Sequence, residues 1–255
     1  MSLYGSLTIA DDLGDRAGFD RIMDAWEAAA PGLLPTRAGI TEPVRQAFDL
    51  ADREAAAGTW DSLQWIARRA KPPLEAIVMP GTWRHTFLEI RVRSGNDRLV
   101  DDFVALILGL ADATSPVFGV IHRLTSAEVA DARLVRRPDL VTINRLTGDT
   151  TLGVGYTRQL EHGIPSLYWQ TLLGRPYVDF FGAQRIRSAP ASQVRETGWG
   201  MILQLTESPP TEDSWPDFSA LRDTVVDHLG RAAFWPDASM IPPEIKDYRG
   251  PDRQV

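Results

Sequence analysis

Cysteine is absent from this 255-residue chain. A disulfide framework, a thiolate-ligated zinc or iron–sulfur site and a thiol nucleophile are therefore excluded. Lysine is nearly absent. All but two of the 27 basic residues are arginine, the exceptions being Lys71 and Lys246, which speaks to coding composition more than to chemistry. Long apolar runs are missing too. The longest, Phe103–Ala111, reaches nine residues with Gly109 counted, against the ~20 that cross a bilayer. The opening MSLYGSLTIADD has neither a basic nor an apolar leader segment, so a cytoplasmic protein is expected.

Signatures of catalysis are equally sparse. GxSxG, GxxxxGK[ST] and GxGxxG do not occur, and the glycines of Leu152–Tyr156 read as a turn or strand bulge. The four histidines, His85, His122, His162 and His228, share no HExxH or HxH spacing, so neither a metal site nor any other cofactor is implied. The carboxylate pairs Asp11/Asp12 and Asp101/Asp102 are sequence neighbours, whose side chains diverge in helix or strand. No enzyme is expected. The alternative enzymatic reading is a hydrolase built on His85, four residues before Glu89, or on His122 in the otherwise apolar VFGVIHRL.

What is present is acid. The net charge is −7, and residues 11–61 hold eleven acids against five bases. Such a chain repels nucleic acid and membrane surfaces and attracts basic partners. Asp11, Asp12, Asp15, Asp49, Asp52 and Glu54 are the candidates for that attraction. Residues 62–100 are instead net basic, with Arg68, Arg69, Lys71, Arg84, Arg91 and Arg93 interleaved with Trp65 and Trp83. Internal pairing with the acidic front accounts for them better than nucleic-acid binding. The chain also holds eight tryptophans. They are expected in the core, and any left exposed would suit a protein interface or a homodimer.

The patterning predicts α+β: a single domain with a mixed, largely antiparallel sheet flanked by helices. Residues 1–70 read as a mainly helical front segment with a short strand at 3–10. Helices are expected at 15–30, on Phe19, Ile22, Met23 and Trp26, then over the Thr41-capped stripe Val44–Ala55, and at 60–69. Residues 71–235 form the α+β body. Strands are expected at 74–79, 86–93, 117–124 and 141–146, and helices at 97–111, 126–136 and 217–229. Two short helices broken at Gly174 are expected in 164–182, and a hairpin around Gly198 in 193–207. Residues 236–255 form a Pro-rich tail.

Residues 160–209 carry Pro165, Tyr168, Trp169, Gly174, Tyr177, Val178, Phe181, Gly182, Ala189, Pro190, Gln204 and Leu205 in a pattern that resembles bacterial immunity proteins. These belong to polymorphic-toxin and type VI secretion systems, and the immunity protein 52 group is the most similar. The pattern is Pro, Tyr-Trp, Gly-x-x-Tyr-Val-x-x-Phe-Gly, Ala-Pro and a hairpin ending in Gln-Leu. Its residues look structural, with glycines at helix ends and aromatics in a core. The resemblance implies inhibition by binding a cognate toxin, of nuclease type with a restriction-endonuclease-like fold. An acidic inhibitor fits a basic nuclease cleft. A secretion-linked adaptor or chaperone is the other non-enzymatic reading.

Overall fold

The computed structural model describes residues 2–61, 63–82, 85–93, 98–134, 141–143, 150–152 and 164–234. These fall into two compact units that divide between Ile121 and His122. The structure bears out the α+β class.

The first unit comprises β1 (Ser2–Ile9), α1 (Arg16–Ala29), β2 (Arg37–Gly39), β3 (Gln46–Ala47), α2 (Arg53–Ala57), β4 (Trp65–Arg69), β5 (Leu74–Thr82), β6 (His85–Arg93), α3 (Arg98–Thr114) and the start of β7 (Phe118–Leu124). In hydrogen-bonded order the strands run β7-β1-β6-β5-β4-β2-β3. β1/β6, β6/β5, β5/β4, β4/β2 and β2/β3 are antiparallel. Leu88, Ile90 and Val92 alternate along β6 with Phe87, Glu89 and Arg91, so the first set faces the core. α1 begins at Asp15, whose carboxylate accepts the Gly18 amide at 2.8 Å. Its stripe of Phe19, Ile22, Met23 and Trp26 is fully buried, each side chain contributing about 1.5–3 kcal/mol. Two glycines permit close packing. A Cβ on Gly109 of α3 would lie 2.7 Å from the Ala29 Cβ, and one on Gly5 of β1 would lie 2.4 Å from Ile107 Cδ1.

The second unit takes the end of β7 and adds α4 (Ser126–Leu134), β8 (Val141–Ile143), β9 (Thr150–Leu152), β10 (Gln170–Gly174), α5 (Arg175–Phe181), α6 (Ala183–Arg187), β11 (Gln193–Glu196), β12 (Gly200–Gln204) and α7 (Trp215–Leu229). Its main strands run β11-β12-β10-β7, while β8 and β9 pair separately. β12 is antiparallel to both β10 and β11. Glu212 closes the start of α4: its two carboxylate oxygens accept the Ser126 and Ala127 amides at 2.7 and 3.1 Å. Those backbone bonds hold its carboxyl below the usual range. At the far end of the unit the His228 ring bonds the Arg185 carbonyl at 2.9 Å, tying α7 to α6.

Three expectations need correction. The front segment is not mainly helical: one long helix, α1, is accompanied by four strands. The stripe Val44–Ala55 is not a helix; Phe48 leaves it to pack against Trp65, and only the five residues of α2 are helical. Residues 65–69 form β4 and 170–174 form β10, where helices were expected. Gly174 does mark a break, but between a strand and a helix. The tail 236–255, the glycine cluster after Leu152, His162, Trp83, Arg84 and Trp235 lie outside the described residues.

Candidate functional site

Four aromatic rings organise one end of the first unit. Phe19 packs edge-on to Trp60 at 5.6 Å, Trp60 lies 5.1 Å from Trp65, and Trp65 lies 5.7 Å from Phe48. The Trp60 indole also donates to the Leu13 carbonyl at 2.8 Å. These contacts bring the turn after β1, the N-terminal half of α1 and the segment around α2 together. Asp11, Asp12, Asp15, Asp49, Asp52 and Glu54 are all exposed there.

Each of the six also has local work. Asp15 caps α1, and Asp52 caps α2 by accepting the Ala55 amide at 3.1 Å. Asp12 and Asp49 accept the Gly14 and Ala51 amides at 2.9 and 3.0 Å, closing turns. Asp11 pairs with Arg21 at 2.8 Å, and Glu54 with Arg16 at 2.7 Å. Arg53 bridges Asp20 and Asp24 beside them, and its hydrogen bond holds the Asp20 carboxyl below the usual range. The Arg16–Glu54 pair, like those of Arg53, joins α1 to α2. The acids thus form a surface that is negative and locally ordered.

Two residues of the basic segment pair with acids, and Arg68 alone of the two reaches the acidic front, through Glu42. Arg68 pairs with Glu42 and, at 3.2 Å, with Glu75. Arg91 pairs with Glu75 and lies 3.4 Å from the Tyr4 hydroxyl. Glu89, partly buried on the same face, is pushed up to about 7 by burial; Arg91 opposes the shift and Glu75 adds to it. Among the described tryptophans, Trp26, Trp65, Trp169, Trp199 and Trp215 are buried and Trp60 is half-buried. They are core residues rather than exposed interface anchors.

The two candidate histidines are both buried. His85 is 1% exposed. His122 accepts the Trp169 amide on Nδ1 at 3.1 Å, which places its proton on Nε2, 2.7 Å from Glu128 Oε2. Arg222 balances Glu128 at 3.6 Å. With both ring nitrogens engaged, no lone pair remains for proton abstraction. An open groove of about 580 Å³ reaches Phe218, whose ring lies 5.6 Å from that of His122, so the histidine stays one side chain away from it. Among the described residues no group of three or more His, Asp or Glu side chains is arranged to hold a metal ion, and no helix is long and apolar enough to cross a membrane.

The motif residues of 164–205 are structural. Pro165, Tyr168, Trp169, Gly174, Tyr177 and Phe181 are buried, and Pro190 is exposed. Burial, with Glu128 nearby, pushes the Tyr168 hydroxyl above its ordinary range. Gly182 joins α5 to α6 at φ +84°, where a side chain would be strained.

Sequence reasoning missed the exposure of Ile40 and Leu63. Their only signal was an apolar side chain next to turn residues.

No family model and no curated protein matches the chain. Its fold is similar to that of a solved Pseudomonas aeruginosa T6SS protein, PA0821, with a TM-score of 0.53 and 16% identity, covering 88% of this chain and 72% of that one.

Proposed function

We propose that this chain is an immunity protein of a type VI or related toxin system: it binds a cognate toxin in the cytoplasm of the producing cell and covers its active site. The observation that carries this reading is the ordered, exposed acidic surface around the start of α1 and α2. Negative charge held on capped helices and closed turns steers a basic protein quickly, and competes with the polyanion a nuclease would bind. The fold likeness to a T6SS protein supports the setting. The engaged nitrogens of His122 favour binding over hydrolysis. A nuclease domain is the toxin class that best fits the charge.

Co-expression tests the proposal. The product of the adjacent upstream gene is induced in a sensitive host with and without this chain. Growth restored only by this chain is expected; toxicity that it does not relieve overturns the proposal.

A further inference from the structure

We infer that the groove at the start of α7 is a second contact for the toxin, and that it takes a loop of that protein in which an apolar side chain is flanked by lysine or arginine. This rests on the immunity reading and extends it to the second unit.

The groove, about 580 Å³, lies between the turn that follows β12 and the first two turns of α7. Pro209, Phe218 and Leu221 give it an apolar lining, the first two buried and the third half-buried. Ser208, Thr211 and Asp217 add polar groups. Its shape is held before any partner arrives. The Thr211 amide donates to the Ser214 hydroxyl at 2.9 Å, and the Ser214 amide to the Thr211 hydroxyl at 3.3 Å. The Thr206 hydroxyl donates to the Ser208 carbonyl at 2.7 Å, and the Thr206 carbonyl accepts the Trp169 indole N–H at 2.8 Å. Phe218 stacks on Trp215 at 5.7 Å. Little ordering is therefore needed on binding. A site for a small molecule encloses most of its ligand; an open groove suits a few side chains presented by another protein.

Charge selects the occupant. The Glu212 carboxylate ties the turn after β12 to the start of α4. Residues 123–128 and 200–222, which meet there, hold Glu128, Glu207, Glu212, Asp213 and Asp217 against Arg123 and Arg222. Both arginines are half-buried. Arg222 is engaged, 3.6 Å from Glu128 and 5.1 Å over the Trp215 ring. The exposed Arg195 lies opposite Ile202, four residues before Thr206 and roughly 13 Å away along an extended chain. Among the described residues the other arginine pairs of this unit join Arg187 to Glu196 and Arg231 to Asp223 and Asp227. Glu207, Asp213 and Asp217 stay outside all of them and are exposed. Asp217 lines the groove, and the other two adjoin its lining residues Ser208 and Ser214. An apolar lining edged by carboxylates without cations of their own fits an apolar side chain between basic ones. The acids raise the association rate, and burial against Pro209 and Leu221 lowers the dissociation rate.

The test uses the full chain and the upstream gene product as purified toxin domain. Ser208→Trp fills the groove from an exposed position, and Glu207→Gln/Asp213→Asn/Asp217→Asn removes its charge. The unfolding midpoints of both variants are checked against wild type. Ser208→Trp is expected to weaken Kd about tenfold or more, mostly through faster dissociation, while Ser208→Ala binds as wild type does. The triple variant is expected to associate more slowly, with a flatter dependence on salt. Hydrogen exchange of the toxin is expected to show a segment protected by wild type and not by Ser208→Trp, with lysine or arginine around an apolar residue. A Ser208→Trp variant that binds within about twofold of wild type, or a protected segment without basic residues, overturns the assignment and leaves the immunity reading intact. A wild-type chain that neither binds nor protects overturns both.

Discussion

His122 and Glu128 form a buried pair in which the histidine is neutral and the carboxylate accepts its Nε2–H at 2.7 Å. The Trp169 amide enforces this state from the other side of the ring, and Arg222 balances the charge. Replacing His122 by Ala strips a partner from both the amide and the carboxylate. A loss of about 2–4 kcal/mol in urea-induced unfolding is expected, with no change in toxin binding beyond that caused by unfolding. A variant as stable as wild type would refute the structural role.

The acidic surface has to be tested without breaking its caps. Asp15→Ala removes the acceptor for the Gly18 amide and costs about 1 kcal/mol of stability. Asp15→Asn keeps the acceptor and is near neutral. Asn at 12, 15, 49 and 52 together should leave the melting curve close to wild type, slow toxin association and flatten its dependence on salt. Wild-type salt dependence in that variant would place the steering charges elsewhere.

Glu89 makes stability fall as pH rises through neutrality. Its carboxyl titrates at about 7 in the folded chain against 4.5 in the reference state, so between those values the folded state holds the extra proton. The contribution is fully present below 4.5 and is lost as pH passes 7. Arg91 and Glu75 are the charged groups that act on it, the first lowering and the second raising its value. Glu89→Gln should flatten the slope between pH 5 and 8 and raise stability at pH 8 by about 1–2 kcal/mol. Denaturant unfolding at four pH values measures it; an unchanged slope would show that the burial is relieved by solvent.

Gly200 and Gly198 sit at the β11/β12 turn and differ sharply in space. A Cβ on Gly200 would lie 2.0 Å from the Leu173 carbonyl oxygen, while one on Gly198 meets nothing within 4 Å. Gly200→Ala is expected to cost about 3 kcal/mol, and Gly198→Ala less than about 0.5. Thermal melts of the two variants decide it.

Much of the fold was legible where one face of an element is buried. α1 showed its stripe, and β6 its alternation. α3 and β7 showed themselves by length and apolarity. The hairpin β11/β12 was readable from Gly198. The failures share a cause. β10 is buried throughout and β4 is buried over Trp65–Ala67, so neither alternates; a short run without alternation reads equally as helix. Val44, Ala47, Phe48, Ala51 and Ala55 have helical spacing, yet only Val44 and Phe48 are buried. The hold of Trp65 on Phe48 decided that segment, and no local pattern shows it. The six acids were legible as charge, but the capping roles of Asp15 and Asp52 were not, since capping depends on where the helices start. Ile40 and Leu63 escaped notice because exposure is a tertiary property.

The most direct test of the account is a titration of the purified toxin domain with this chain, reading the toxin's own activity. The account predicts a linear fall to zero at one chain per toxin. Activity that persists when wild-type chain is in excess would contradict it.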